Sequence, residues 1–338
     1  MVGSLYIRIT QYDGDSMMEK EKIHIAACLD KGYVMPTGVM IYSVCANTPD
    51  SDIDFHLVVD ESVSDNDIKN LIDAISQFEG KRALFYNVTS HVYKNLPLTN
   101  SKWLTRATYY RLYLPEILPE SVSKVIYIDG DCIVRHSLLP LWSTDISEIA
   151  IGTVFNAYEG EIERYNRLRY SPEFGYFNAG VLLINIEYWR KHHIVNSLTE
   201  YISNYPERIV FEDQDVMNAV LKESKRSLHP KYNLQSGMLR RTPRFYYWKY
   251  EDEIKEAIAD PVIIHFTSRE KPWHKYMRYP HPYKSSFVKY QNQTKWKGIK
   301  IEKRSLNKRI RNYIGDLLRY IKIFPPIELR YIELSPID

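Results

Sequence analysis

Between residues 23 and 88, short apolar runs alternate with helix-periodic segments, and this order restricts the fold more than any other feature of the chain. IHIAACL (23–29), FHLVVD (55–60) and RALFYNV (82–88) have the length and apolar content of buried strands. Between them, residues 33–46 repeat apolar side chains every three or four positions up to Asn47. Residues 64–77 do the same through Ile68, Leu71, Ile72 and Ile75, and Ser64 with Asp67 makes a capping-box-like start. Strand and helix in alternation predict parallel strands covered by helices, an α/β fold. Further along, the pattern predicts a helix over 103–114 and a strong strand KVIYID over 124–129. Strands follow over 149–155 and 177–186, helices over 188–201 and 213–222, and a last strand PVIIHF over 261–266.

With 338 residues, 44% of them hydrophobic, the chain can form one large domain, or a main domain plus an appendage. No apolar run reaches the ~18 residues of a transmembrane helix. The opening MVGSLYIRITQYDGDS has no basic segment followed by an apolar stretch, so no secretory signal is expected, and 1–22 reads as a lead-in. Cys28, Cys45 and Cys132 sit in apolar runs without metal-ligand spacing, which predicts free thiols in a reducing, cytoplasmic compartment. Net charge is only +3, yet ten Lys or Arg between 295 and 322 meet just Glu302 and Asp316. The basic charge is therefore concentrated at the C-terminal end.

Four segments carry candidate chemistry. VIYIDGDCIV delivers Asp129 and Asp131 at a strand end with Gly130 between them, and ligands of open α/β sheets bind at such ends. Two carboxylates this close repel unless a cation lies between them, and hard oxygen ligands suit magnesium or manganese. A tight turn with two solvated aspartates is the plain alternative. IIHFTSREKPWHK ends a strand at His265, with Lys271 in the following loop. Imidazole beside two carboxylates favours manganese, and a lysine can neutralise phosphate; the plain alternative is a hydrogen-bonded structural histidine. Asp213, Gln214 and Asp215 open a helix, where acids also serve as ordinary caps. Asn178 lies early in the apolar strand FNAGVLLIN, where its amide needs a partner.

Taken together and in this order, the segments D-x-D, F-N-A-G-V-L-L-I-N, D-Q-D and H-x(5)-K-P-W-H resemble the retaining glycosyltransferases of family 8. That family contains glycogenin and the bacterial lipopolysaccharide α-galactosyl- and α-glucosyltransferases. The resemblance covers roughly 23–300, and KPWHKYMRYPHPYKSSFVKY is similar to the C-terminal part of the lipopolysaccharide-core branch. It implies a single nucleotide-sugar-binding, Rossmann-like (GT-A) domain with a mixed central sheet over 23–275, and a basic, aromatic helical extension over 276–338. It further implies that Asp129, Asp131 and His265 hold Mn2+ or Mg2+ and that Lys271 contacts the donor diphosphate. Asp30 and Tyr33 would hold uracil. Arg111, Gly130, Asn178 and Ala179 would line the donor, and Asp213 with Gln214 would act at the transferred sugar. Two positions depart from the family pattern: Ser268 replaces a glycine after the metal histidine, and Asn156 replaces the acceptor-side aspartate of the galactosyltransferases.

The activity so implied is transfer of glucose or galactose from UDP-hexose to a lipid-linked oligosaccharide, the lipopolysaccharide core, with an α-bond formed. An amide is a poor nucleophile, so attack on the face of the leaving group is favoured over a covalent sugar on Gln214; a sugar trapped on Asp215 would argue otherwise. Residues 305–322 place Leu306, Ile310, Tyr313, Ile314, Leu317, Leu318 and Ile321 on one helical face with basic residues around it. Such a helix lies on the cytoplasmic face of an anionic membrane or packs on the domain. No nucleic-acid-binding motif is present. Two rival readings are a haloacid-dehalogenase-type phosphatase, which also uses D-x-D but near the start of its domain, and a sugar- or lipid-binding scaffold without turnover.

Overall fold

The computed structural model describes residues 22–88, 106–158, 160–240, 247–277, 279–301 and 306–324. The expected lead-in therefore lies, apart from Lys22, outside the described residues. The strands are β1 (Ile23–Leu29), β2 (Ile53–Asp60), β3 (Lys81–Val88), β4 (Lys124–Ile128), β5 (Cys132–Val134), β6 (Ile151–Phe155), β7 (Phe177–Asn185), β8 (Lys225–Ser227), β9 (Leu234–Gln235) and β10 (Ile263–His265). The main sheet has the order β3-β2-β1-β4-β7-β6-β8, and a small second sheet has the order β5-β10-β9. The first four strands are parallel, whereas β7 runs antiparallel to both β4 and β6. The mixed α/β sheet is thus present.

Helices cover both faces, so β1, β2 and β7 expose almost nothing, which explains why their sequences are continuous apolar runs rather than alternating ones. The helix Val34–Asn47 is buried without interruption from Val34 to Cys45. It lies between the sheet and the C-terminal part of the chain, and Gly38 leaves the space into which Trp296 packs. A Cβ there would come within 2.1 Å of the indole. By contrast the helix Asp65–Ile75 is half-exposed and amphipathic, and the Ser64/Asp67 capping box is formed in full. Tyr283, Phe287 and Trp296 belong to the same buried cluster as β1 and β2, so residues up to 301 share the core of the sheet. The helix Leu306–Tyr320 follows.

Two expected helices differ. Of the expected helix 103–114, residues 103–105 lie outside the described residues; Arg106–Tyr113 form 3-10 turns, followed by a single α-turn at Leu114–Ile117 that carries Pro115 in its first turn, where the missing N–H is tolerated. The segment 188–201 is divided into Ile186–Lys191 and Ile194–Asn204, with His193 between them in the left-handed region at φ +50°.

Candidate active site

Neighbouring parallel strands β1 and β4 end at the same edge of the main sheet. After Ile128 the chain passes through Asp129-Gly130-Asp131 into β5, crossing from one sheet to the other. Antiparallel β10 sets His265 opposite Cys132. The junction of the two sheets thereby gathers both carboxylates and the imidazole: His265 Nε2 lies 3.2 Å from Asp131 Oδ1 and 3.9 Å from Asp129 Oδ2. Strand β7 closes the other side, and the Asp129 N–H donates to the Gly180 carbonyl at 2.8 Å. A Cβ at Gly180 would stand 2.1 Å from His265 Cε1 and 2.8 Å from Asp129 Oδ2, so only glycine lets these groups meet. Gly130 is similarly tight, with Thr37 Oγ1 2.4 Å from where its Cβ would be and Tyr33 at 3.3 Å.

Each charged group has a fixed partner. Asp129 Oδ1 accepts from Tyr127 Oη and Arg111 Nη2, both at 2.9 Å, which leaves Oδ2 towards His265. Arg111 is buried over the Tyr127 ring and also donates to the carbonyls of Ala179 and Thr108. Lys271 Nζ donates to Asp131 Oδ2 at 2.6 Å and to the Phe266 carbonyl. Burial alone would raise the Asp131 carboxyl, but Lys271 and His265 beside it hold it well below the usual carboxylate range. Burial would conversely lower the Lys271 ammonium, and the Asp131 carboxylate keeps it above its ordinary value. Both groups therefore stay charged at neutral pH.

Ligand atoms of Asp131, Cys132 and His265 lie within 4.8 Å of one another. Burial, with the charges of Asp131 and Asp129 added, raises the Cys132 thiol well above its usual range. A neutral thiol is a poor ligand. Two carboxylates and one imidazole, from Asp131, Asp129 and His265, form the donor set that fits a hard-to-borderline divalent cation.

From this cluster a line of amides leads into β7. His265 Nδ1 is 2.9 Å from Asn233 Oδ1, and Asn233 Nδ2 donates to Asn178 Oδ1 at 2.9 Å. Asn178 Nδ2 and the Ala179 N–H both donate to Gln214 Oε1, at 3.1 and 3.0 Å. Gln214 Nε2 donates to Tyr176 Oη, which in turn donates to Asp215. The helix Glu212–Leu221 is held in place for this by Asn218, whose amide satisfies both the N–H and the carbonyl of Phe177. Asp215 is fully buried and accepts from Arg167, Tyr176 and the N–H groups of Val210 and Phe211. Its role is to hold the helix start, and it is not open to a sugar.

Asp213 Oδ2 is 3.1 Å from Arg111 Nε, but that N–H points to the Thr108 carbonyl, so Oδ2 accepts no hydrogen bond. Burial pushes the Asp213 carboxyl up to about 7 against the pull of Arg111, with the Asp129 and Glu212 charges adding to the rise. Its neighbour Glu212 has φ +40°, a left-handed backbone at the threshold of the site. Asp30 caps the turn after β1 by accepting from the Gly32 N–H, and Tyr33 stands edge-on to Trp273 at 6.3 Å between centroids. Asn156, just past β6, is buried and accepts from the Tyr158 N–H. Ser268 Oγ accepts from Arg240 at 3.1 Å.

Residues 24–277 match the model of glycosyl transferase family 8. The chain belongs to that family. This glycosyltransferase is 30% identical over 287 residues to general stress protein A of Bacillus subtilis, covering 84% of this chain and 98% of the relative. It is 29% identical over 275 residues to the lipopolysaccharide 1,3-galactosyltransferase of Salmonella typhimurium, covering 78% and 76%. Among solved structures, the galactosyltransferase LgtC with donor and acceptor sugar analogues superposes at a TM-score of 0.70 and 26% identity, covering 81% of this chain and 96% of LgtC. The family membership removes the phosphatase reading.

Gly180, Asn233, Tyr127 and Tyr176 are parts of the glycosyltransferase's site that motif reading passed over. A glycine inside an apolar strand is a signal of close approach, so Gly180 was legible in principle. Asn233 stands in an irregular stretch, HPKYNLQSG, and carries no such signal.

Proposed function

We propose that this retaining glycosyltransferase moves glucose or galactose from a UDP-hexose to a lipid-linked oligosaccharide such as the lipopolysaccharide core, forming an α-glycosidic bond. The observation that carries the reading is the meeting of Asp129, Asp131 and His265 at the sheet junction, with the Lys271 ammonium against Asp131. These residues would hold Mn2+ or Mg2+, and a bound cation would neutralise the charge that develops on the departing diphosphate. Lys271, kept cationic by Asp131, offers a second positive charge to the same phosphates. Asp30 and Tyr33, after β1 at the same sheet edge, would take the uracil, and Gly130 lets the first turn of the helix Val34–Asn47 approach.

On the sugar side, both lone pairs of Gln214 Oε1 are engaged by Asn178 and Ala179. Gln214 is thus placed to orient the ring rather than to attack it, and Asp215 is enclosed by its partners. Attack from the face of the leaving group follows, with the departing phosphate oxygen taking the acceptor proton. Asp213, with its Oδ2 3.1 Å from Arg111 Nε, would stand beside the transferred sugar and hold Arg111 there. Arg111 holds Asp129 beside it and so ties donor and cation sides together. Asn156 would face the acceptor.

The extension supports attachment to an anionic membrane surface. Ile310, Tyr313, Ile314, Leu317 and Ile321 are each about half or more exposed. No described helix is long and apolar enough to cross a membrane. The test of the reading is release of UDP from UDP-glucose and UDP-galactose with Mn2+ or EDTA. Release that needs Mn2+ and falls at least on the order of 100-fold in Asp131→Ala is expected. Release from neither donor would leave the scaffold reading in its place.

A further inference from the structure

The line of amides has a direction, and two backbone groups fix it. The N–H groups of Ala179 and Gly180 can only donate, and they donate to Gln214 Oε1 and Asn178 Oδ1. Asn178 must therefore turn its oxygen towards Gly180 and its NH2 towards Gln214. Asn233, facing Asn178 Oδ1, must present its NH2 there, and its own oxygen is left for His265 Nδ1. An oxygen at 2.9 Å requires Nδ1 to carry a proton, so in the neutral ring Nε2 is the nitrogen left with the lone pair, on the side of Asp129 and Asp131. Asn233 is fully buried.

We propose that Asn233 is a positioning residue that transmits the backbone polarity of β7 to His265, fixing the tautomer that can bind a cation while aiming Asn178 and Gln214 at the sugar. The inference rests on the metal and donor reading above, but its first test does not. In the metal-free protein, at a pH high enough for the ring to be neutral, the 15N spectrum of His265 should show Nδ1 protonated and Nε2 bare. An Nε2–H tautomer overturns the proposal whether or not the protein binds Mn2+.

Two variants separate the two ends of the bridge. Asn233→Ala removes both bonds, and Mn2+ affinity, read by titration of the free ion, should fall on the order of 10–100-fold. Asn233→Asp keeps an acceptor for His265 and loses the donor to Asn178. It should retain Mn2+ affinity near that of the natural chain, while UDP release falls by a similar factor through kcat. Thermal melts establish that both variants fold; if they do not, the histidine spectrum of the natural chain still decides. Mn2+ affinity unchanged in a folded Asn233→Ala contradicts the proposal. Absence of Mn2+ binding in the natural chain would instead contradict the metal reading.

Discussion

Gly180 shows how a residue without a side chain can be as necessary as a ligand. The space it leaves is occupied by His265 and Asp129 at once. Gly180→Ala should leave the sheet folded, since alanine is tolerated in a strand, but displace the imidazole. Mn2+ affinity is expected to fall on the order of 10–100-fold with little change in melting temperature; a titration of both properties checks it. Asp129, Asp131 and His265 were legible in the sequence because each ends an apolar run abruptly, which marks a strand delivering a polar group. Asn233 and Tyr176 were not, because what selects them is a hydrogen bond across the fold, to residues 32 and 39 positions away. Asp215 was read with Gln214 as part of one acidic helix start, yet its neighbours Arg167 and Tyr176 enclose it and leave only Asp213 and Gln214 for the site.

The strands were legible as elements because both faces are covered and burial makes them continuous apolar runs. The helix breaks were less so. The left-handed His193 interrupts a segment whose periodicity alone reads as a single helix, and Arg106–Tyr113 winds into 3-10 turns where the periodicity reads as an α-helix. Within the sheet, β1, β2 and β3 carry a ladder that has no part in the metal site: His24 Nδ1 lies 3.0 Å from His56 Nε2, and His56 Nδ1 lies 2.8 Å from Tyr86 Oη. Burial, helped by the charges of His24 and Arg82 and opposed by Asp54, lowers the His56 imidazole to about 3. A lowered folded value means that the unfolded chain binds the proton first. The contribution of His56 to stability is therefore complete above the ordinary value of about 6.5 and is lost as pH falls towards about 3. Urea denaturation should show stability falling by about 1 kcal/mol from this residue between about pH 6.5 and about pH 5.5. In His56→Gln that part of the pH dependence should vanish.

The whole molecule divides its charge as well as its chemistry. The sheet junction collects carboxylates, and the C-terminal segment carries ten basic residues with an exposed apolar helix face. Removing residues 302–338 should leave UDP release within about twofold, since Tyr283, Phe287 and Trp296 remain to cover the helix Val34–Asn47. Cosedimentation with phosphatidylglycerol vesicles should be lost, because each basic residue near such a surface contributes about 1 kcal/mol. Vesicle binding that survives the truncation would place attachment elsewhere. The central claim, that Asp129, Asp131 and His265 hold a cation which grips the donor diphosphate, is met most directly by titrating UDP calorimetrically with and without Mn2+. UDP should bind with Mn2+ and lose affinity on the order of 100-fold in EDTA or in Asp131→Ala. Equal affinity in all three conditions would contradict it.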